Sequence, residues 1–453
     1  MSSKIQQDFT EGNISKQLLV FSAPLFLSSL LQLVYNMVDM IIVGQSCGSV
    51  GLAAVSIGSD LTNFLTFIAM GFSSAGQVII AQYLGAGQKE SISRFVTTMV
   101  IFMGSMALLL SACSLFSLEF MLKLMHTPAE SFNDTYSYAC ITMSGLIFIY
   151  GYNMVSAILR GLGDSKHPFI FISLASVLNV GLDLFFIVKL DYGPAGAAWA
   201  TVISQAVSFI ACILFLKKNR RELGMERSTK FVMDMEMLKT FLGLGIPMAI
   251  KMGSVHITKL FVNSWINSFG VTVAAVAGIA NKLNSVCGLV ANSINTACAS
   301  MVGQNIGAEK YERVPKILLV TFNFAAAFLL VYGLALWNYP ETIFRIFTDS
   351  QDVVNIAMEY VPYGLLTFAG AAVRAPMNSI INGSGNRSMN FLTAILDGFI
   401  MRLGGAVLFG LILKWGYTGF WLADAIAGFT PLFIGGWFLV SGKWKTNEYI
   451  VKK

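Results

Sequence analysis

The chain has 453 residues, of which 55% are hydrophobic and 12% are charged. Soluble globular proteins have roughly 25% charged residues, so this composition excludes a soluble multidomain enzyme, a secreted disulfide scaffold and a disordered chain. The mean hydropathy of +0.69 is typical of a helical protein that crosses a membrane many times. The net charge of +6 does not indicate a nucleic-acid partner, because the basic residues lie mainly in short loops between apolar stretches.

Twelve apolar stretches follow one another along the chain, and most are long enough to cross a hydrocarbon layer of about 30 Å. We therefore predict an all-α polytopic membrane protein with 12 transmembrane helices. The first six spans lie near residues 16–42, 52–81, 95–116, 133–159, 168–188 and 195–216. The last six lie near residues 239–265, 271–303, 316–338, 354–381, 391–413 and 418–440.

A charged segment separates the two groups of six spans. We assign residues 1–216 to an N-terminal six-helix bundle, residues 217–238 to a cytoplasmic linker, and residues 239–453 to a C-terminal six-helix bundle with a short cytoplasmic tail. With the N-terminus in the cytoplasm, 21 of the 30 lysine and arginine residues lie inside and 4 lie outside, the bias that orients membrane proteins. Both termini are thus predicted to be cytoplasmic. No targeting segment is evident, which favours a multi-pass protein of a prokaryotic plasma (inner) membrane.

The two halves repeat each other at a nearly constant separation. Because each half has an even number of spans, the halves share one orientation, and we expect a pseudo-two-fold axis along the membrane normal. Two bundles related in this way can rock about a shared cleft, which is the geometry of alternating access. At a separation of 222 residues, Gln82-Tyr83-Leu84-Gly85-Ala86 matches Gln304-Asn305-Ile306-Gly307-Ala308 and Arg160-Gly161-Leu162-Gly163 matches Asn382-Gly383-Ser384-Gly385; at 223, Lys16…Pro24 matches Lys239…Pro247 and Gly196 matches Gly419.

Three motifs resemble those of one transporter family. They are the Pro24…Asp39 helix with Val-Asp-Met-Ile-Ile-Val-Gly over residues 38–44, then Ala81-Gln82-Tyr83-Leu84-Gly85-Ala86-Gly87, then Arg160-Gly161-Leu162-Gly163-Asp164-Ser165. In this order and spacing, they resemble the multidrug and toxic compound extrusion (MATE) family of the MOP flippase superfamily, and the resemblance covers nearly the whole chain. It implies two six-helix bundles that form a V around a central cavity. It also implies efflux of amphipathic, often cationic, compounds driven by inward Na⁺ or H⁺.

Acidic residues inside membrane spans are costly and are therefore candidates for function. Asp39 lies in the first span, and Asp183 in the fifth span follows Asn179 by four residues, which places both on one helix face. We predict a cation-coupling site in which Asp39, Asn179 and Asp183 bind Na⁺ through hard oxygen donors. Tyr138 and Thr201 would add hydroxyl groups to this site.

Two alternatives remain open for this pair of acids. In a low dielectric the two carboxylates would repel each other, so that one of them would bind a proton instead of sharing Na⁺. Both could also be ordinary buried hydrogen-bonding groups. Pro24 weakens the backbone hydrogen bonding of the first span and is the predicted hinge that responds to the ion. The set resembles the site of the DinF-like branch of the MATE family, in which acids of spans 1 and 5 carry the coupling.

The second half departs from the NorM-like branch of the family, which carries acids in spans 7 and 10. It contains instead a polar cluster formed by charged residues within the spans. These residues would pair internally, or they would line a cavity and bind anionic groups of a substrate. The predicted cluster comprises Lys259, Lys282, Arg374, Asp397 and Arg402.

We predict a secondary active multidrug efflux transporter that works as a monomer and couples the entry of Na⁺ or H⁺ to the export of small amphipathic molecules, cationic drugs among them. The alternative is a flippase or exporter of lipid-linked or anionic substrates. The sequence contains no Gly-Lys-Ser/Thr nucleotide motif and no His-Glu-x-x-His or Gly-x-Ser-x-Gly motif. We therefore expect no enzyme activity and no cofactor apart from the coupling ion, with membrane lipid and small-molecule substrates as partners.

Overall fold

The structure is a computed structural model that describes residues 6–220, 232–446 and 448–451. Within these ranges the chain forms helices and no β-strand. Helices suit a chain in hydrocarbon because they satisfy their backbone N–H and C=O groups internally. The first half contains α1 (Ile14–Gly85), α2 (Lys89–Leu124), α3 (Phe132–Ser144), α4 (Leu146–Gly161), α5 (Lys166–Asp183), a π-helix (Leu184–Lys189) and α6 (Gly193–Lys218).

The second half repeats this order with more interruptions. It contains α7 (Met235–Asn267), α8 (Val271–Gly307), a 3-10 turn (Tyr311–Arg313), α9 (Val314–Asn338), the short α10 (Pro340–Arg345), α11 (Gln351–Gly383) and α12 (Arg387–Ala394). Two π-helices (Ile395–Gly404 and Ala406–Ile412) continue from α12, and α13 (Tyr417–Ala427) and α14 (Thr430–Ser441) complete the half.

The predicted all-α fold with 12 spans is confirmed. Ten helical segments are long and apolar enough to cross a membrane, and α3 and α4, which meet at 46°, make an eleventh span together. α1 supplies two spans, because its 72 residues would extend about 110 Å and it is broken at Gly48, where φ is 64° and ψ is −162°. The described residues therefore form six spans in each half of the chain.

Packing divides the chain into two compact units. The first unit comprises Met1–Gln7 and Ala23–Gly245, and the second comprises Asp8–Ser22 and Ile246–Lys453. Relative to the predicted boundaries at residues 216 and 239, the beginning of α1 belongs to the second unit and the beginning of α7 to the first. Residues 221–231 of the predicted linker lie outside the described residues.

Aromatic packing holds the beginning of α7 in the first unit. Phe241 is fully buried, and its ring centroid lies 5.6 Å from that of Phe72, 5.4 Å from that of Phe95 and 5.6 Å from that of Phe102. Edge-on aromatic contacts of this kind add to the stabilisation from apolar burial. The apolar first turns of α7 therefore pack with α1 and α2.

Asp234 stabilises the start of α7 within the same unit. Its Oδ1 atom accepts hydrogen bonds from the backbone N–H groups of Glu236 at 3.0 Å and Met237 at 3.1 Å, the arrangement of a helix N-cap. Its other carboxylate oxygen pairs with the guanidinium of Arg94. The N–H of Met237, together with Arg94, holds the pKa of Asp234 below its ordinary value.

Hydrogen bonds hold the segment Asp8–Ser22 in the second unit. The backbone N–H of the fully buried Phe9 donates to Gln304 Oε1 at 2.9 Å, and the Phe9 carbonyl accepts from Asn305 Nδ2 at 3.0 Å. The Phe9 and Phe21 rings pack with their centroids 5.0 Å apart. One copy of the repeated Gln-x-x-Gly-Ala motif therefore serves to anchor this segment.

The repeat found in the sequence recurs in the helix packing. A Cβ atom at Gly161 would lie 2.7 Å from the backbone oxygen of Gln77, and one at Gly383 would lie 2.9 Å from that of Ala299. Gln77 and Ala299 are themselves 222 residues apart, so the same close helix contact occurs in both halves. Corresponding pairs at 223 residues are the close approach of Gly196 to Phe186 and that of Gly419 to Phe409.

Candidate functional site

The end of α5 places an amide and a carboxylate one helical turn apart inside the first unit. Asn179 is 2% exposed and Asp183 is fully buried. Among the described residues, neither carboxylate oxygen of Asp183 and neither polar side-chain atom of Asn179 has a hydrogen-bond partner. A buried carboxylate without a partner carries a large desolvation cost. This pair therefore suits the binding of a cation or proton better than it suits a structural role.

Asp39 on α1 lies close to this pair. Its carboxyl group is within electrostatic range of Asp183, and its Oδ1 atom is buried with no hydrogen-bond partner in the described part of the chain. The packing explains the approach, because Val43 and Ile187, each about one turn beyond one of the acids, belong to one buried apolar cluster. The structure therefore brings Asp39, Asn179 and Asp183 together.

Tyr138 on α3 belongs to the same apolar cluster and is 4% exposed. Its Oη atom lies 3.0 Å from Ser59 Oγ of α1, and it interacts electrostatically with Asp39 and Asp183. Gly58 makes room for the ring, because a Cβ atom there would lie 2.4 Å from Tyr138 Cδ1. The predicted hydroxyl of Tyr138 is thus held beside the acids by contacts with α1.

Sequence reasoning did not assign Tyr35, Gly58 and Ser59 to this site. Tyr35 precedes Asp39 by one helical turn and lies within electrostatic range of both acids, so helical spacing from Asp39 was a signal that could have found it. Gly58 and Ser59 offered no such signal, because glycine and serine are common wherever membrane helices pack closely.

Among the described residues, Thr201 and Pro24 form no hydrogen bond with either acid. Thr201 follows Ala197 of the apolar cluster by one turn of α6, so it shares the face that packs there, but no hydrogen bond between described residues joins it to either acid. Pro24 lies inside α1, two residues after the boundary between the second and first units at Ser22. The predicted hinge is therefore at the position where this helix passes from one unit to the other.

The first-unit site offers oxygen ligands for a cation. Neither Asp39 nor Asp183 forms an ion pair with any described residue. Two carboxylates, an amide oxygen and a phenol oxygen match the preference of hard cations for oxygen ligands, and two neighbouring carboxylates also favour the uptake of one proton. Asp39, Asn179 and Asp183 are the residues that would hold either ion.

An ion network joins three helical segments of the second unit. Arg374 of α11 donates to Asp397 Oδ1 at 2.8 Å and to the backbone oxygen of Ala427 at 3.1 Å. Asp397 is fully buried, and a guanidinium nitrogen of Arg402 lies 3.6 Å from its carboxylate. Arg402 also pairs with Asp424 of α13. Three members of the predicted polar cluster thus pair internally.

The two lysines of the predicted cluster behave differently from its arginines. Lys282 is exposed and forms no ion pair with a described residue. Lys259 is partly buried and lines a cavity together with Asp424. Lys251, two turns earlier on α7, donates instead to Asn378 Oδ1 at 2.7 Å. The structure therefore places Lys259 near the arginine and aspartate network and leaves Lys282 outside it.

Comparisons with known proteins agree with this architecture. The MatE family model matches residues 24–185 and 247–404, one match in each half. The chain is 27% identical over 447 residues to the probable multidrug resistance protein YpnP of Bacillus subtilis, covering 98% of this chain and 99% of the relative. It is 24% identical over 448 residues to the probable multidrug resistance protein NorM of Thermotoga maritima, covering 97% and 95% of the two chains.

Solved structures share the fold over the whole chain. A MOP superfamily transporter from Pyrococcus furiosus superposes with a TM-score of 0.87 at 22% identity and covers 100% of both chains. A MATE protein solved in complex with MaL6 gives the same TM-score at 22% identity, covering 98% of this chain and 100% of that one. The family model covers most of the chain, and it repeats at the separation found in the sequence. The chain therefore belongs to the MatE family of membrane transporters.

Proposed function

We propose that the protein is a secondary active multidrug efflux transporter that exchanges Na⁺ or H⁺ for small amphipathic molecules by alternating access. The observation that carries this proposal is the pair of acids inside the first unit. Asp39 and Asp183 lie within electrostatic range, and Asp183 is fully buried without a hydrogen-bond partner among the described residues. Ionisable groups that membrane spans retain at such cost commonly serve ion transport.

Neutralisation of this pair links the ion to the conformation. Removing a charge from water costs several kcal/mol, so a bound Na⁺ or proton stabilises the state in which both acids are enclosed. The ion-free pair favours a state in which water reaches the acids. An ion shifts such an equilibrium only by its difference in affinity for the two states, and enclosure of the acids supplies that difference. Asp39 shares α1 with Pro24, where the helix lacks a backbone hydrogen bond and bends more easily.

We further propose that the transporter is a monomer of the plasma (inner) membrane with both termini in the cytoplasm. Relatives named as multidrug resistance proteins support amphipathic drugs as substrates, and their bacterial origin supports a plasma (inner) membrane location. The excess of basic residues in the loops on one side supports cytoplasmic termini. Because both acids belong to one unit, a monomer embedded in lipid suffices, with no cofactor besides the coupling ion.

Efflux from proteoliposomes tests the coupling. Vesicles loaded with a fluorescent cationic dye receive a Na⁺ gradient or an H⁺ gradient alone. We expect one gradient to drive efflux by the unmodified protein, and Asp39→Asn and Asp183→Asn each to abolish it. The double variant should be no worse than either single variant, because the two acids act as one unit. Asp60→Asn, which alters an exposed acid of the same helix, serves as the matched control and should retain efflux.

The possible results distinguish a wrong assignment of the coupling residues from a wrong assignment of the substrate class. Gradient-driven efflux at the original rate in both single variants contradicts the assignment of Asp39 and Asp183. If the unmodified protein exports no dye under either gradient, an exporter of lipid-linked or anionic substrates becomes the better description.

A further inference from the structure

A polar cavity of the second unit lies at positions that match residues of the first-unit site in the internal repeat. A separation of 222 residues relates Ser59 to Asn281 and Tyr138 to Tyr360. Asn281 and Tyr360 line one cavity. Tyr360 donates to Asn284 Oδ1 at 3.2 Å, as Tyr138 contacts Ser59 at 3.0 Å, so a tyrosine is held by the neighbouring helix in both halves.

The charged residues at the matching positions differ between the halves, and Thr201 corresponds to Asp424 at a separation of 223 residues. Neither acid of the first-unit site has an acidic counterpart in the second half, and the amide is replaced by a guanidinium. Lys259 lies one turn before the counterpart of Asp39 and lines the cavity. At a separation of 223 residues, Asp39 corresponds to Val262, Asn179 to Arg402 and Asp183 to Ala406.

Two hydrogen-bond donors of this cavity have no acceptor among the described residues. Lys259 forms neither a hydrogen bond nor an ion pair there, although it lines the cavity. Trp421 is 5% exposed, and its Nε1–H group has no partner. Asp424, the acid that lines the cavity, is paired with Arg402. Lys and Trp side chains can only donate, and Arg402 balances the charge of Asp424, so Lys259 and Trp421 complement a group that accepts hydrogen bonds and carries negative charge.

We propose that this cavity binds a carboxylate group carried by the transported molecule. Its volume of about 30 Å³ admits a group of carboxylate size or one to two water molecules, but no whole drug molecule. Lys259 supplies a charge-assisted hydrogen bond and Trp421 a directional one. The inference rests on the proposed function and narrows its substrate class, because the transporter then accepts zwitterionic and acidic amphipathic compounds beside cationic ones.

A pair of dyes that differ in one group tests the inference. The probes are a xanthene dye with a free benzoate carboxyl and its methyl ester, each loaded into proteoliposomes. We expect the unmodified protein to export both. Lys259→Met and Trp421→Phe should export the ester at the original rate. They should export the acid at about one tenth of the original rate or less, given the strength of hydrogen bonds to charged groups. Lys282→Met removes an exposed lysine from α8 and should export both dyes.

Export of the ester but not the acid by the unmodified protein overturns the inference and leaves the proposed function intact. An equal loss of both dyes in Lys259→Met gives that lysine a structural role and also overturns the inference. If Lys259→Met fails to fold in detergent, Trp421→Phe decides the question, because it keeps the ring and removes only the N–H.

If transport itself fails, ligand binding by the purified protein is measured instead. If neither dye is exported, the proposed function fails, and the cavity is tested by thermal stabilisation of the purified protein with benzoate. Saturable stabilisation that is lost in Lys259→Met and kept in Lys282→Met supports the carboxylate site. No stabilisation of the unmodified protein overturns it.

Discussion

The lack of a side chain at Gly58 creates the space that the Tyr138 ring occupies beside the two acids. Tyr138 is buried and contacts Ser59, the residue next to Gly58. The phenol position is therefore set by α1, the helix that also carries Asp39. A residue without a side chain thus determines where an oxygen of the candidate site lies.

Gly58→Ala should displace Tyr138 and weaken coupling. The added Cβ would lie 2.4 Å from Tyr138 Cδ1, and overpacking of this kind costs about 1–3 kcal/mol. We expect a lower unfolding temperature in detergent and slower gradient-driven efflux. Gly104→Ala is the control, because a Cβ at Gly104 meets nothing within 4 Å. Equal behaviour of the two variants would contradict the packing role of Gly58.

For single residues, the sequence identified the charged side chains but not the groups that surround them. Asp39 and Asp183 could be identified because acids are rare and expensive within membrane spans. Lys282 was grouped with Lys259, although it is exposed in the structure, because one sequence does not show which face of a helix turns inward. The orphan N–H of Trp421 was also not predictable, since it depends on which groups surround the ring.

The ion network of the second unit connects α11, the π-helix Ile395–Gly404 and α13. Asp397 is its buried centre, contacted by Arg374 and Arg402. A buried carboxylate between two guanidinium groups holds the helices in register only while all charges are present.

Asp397→Asn should therefore destabilise the protein strongly. Removal of one partner of a buried pair costs about 3–5 kcal/mol, because Arg374 and Arg402 lose their shared counter-charge. Thermal unfolding in detergent measures the loss. Glu341→Gln breaks an exposed pair with Arg345 and should change stability by about 1 kcal/mol or less. Comparable unfolding temperatures for the two variants would show that the network contributes little.

Helical elements were predicted by position more accurately than by length or type. Hydropathy placed the third span at residues 95–116, whereas α2 runs over Lys89–Leu124, because a helix continues beyond the hydrocarbon layer into polar loops. The predicted connection before residue 52 is helical except at Gly48. The π-helices differ from α-helices in hydrogen bonding rather than in composition, so hydropathy does not reveal them.

For the whole molecule, two helices pass between the units at equivalent residues. α1 crosses between Ser22 and Ala23, and α7 crosses between Gly245 and Ile246, a separation of 223 residues in each case. Pro24 and Pro247 follow the two crossings at the same distance. The repeat predicted this pairing of prolines, but the assignment of segments to units depends on tertiary packing around Phe9 and Phe241.

Pro24→Ala and Pro247→Ala should slow transport without loss of stability. Alanine restores the backbone N–H and favours a straight helix, so a conformational change that bends α1 or α7 becomes more costly. We expect efflux rates to fall in each variant and to fall further in the double variant, with unfolding temperatures unchanged or raised. Pro194→Ala is the control, because a proline in the first turn of a helix such as α6 is well tolerated. Unchanged transport in the double variant would exclude both hinges.

α1 begins in the second unit and α7 begins in the first, and this reciprocal arrangement bears on the evolutionary origin of the protein. If one half existed alone, the first turns of its leading helix would lack a partner within that half, and a second copy would supply the place for them. Two identical halves would then associate as a swapped dimer, which is a low-cost route to assembly. A linker that fuses the two copies frees each from the need to match the other. One copy can then keep its acids while the other acquires lysine and arginine, so that the two halves of a single polypeptide can carry different sets of charged residues.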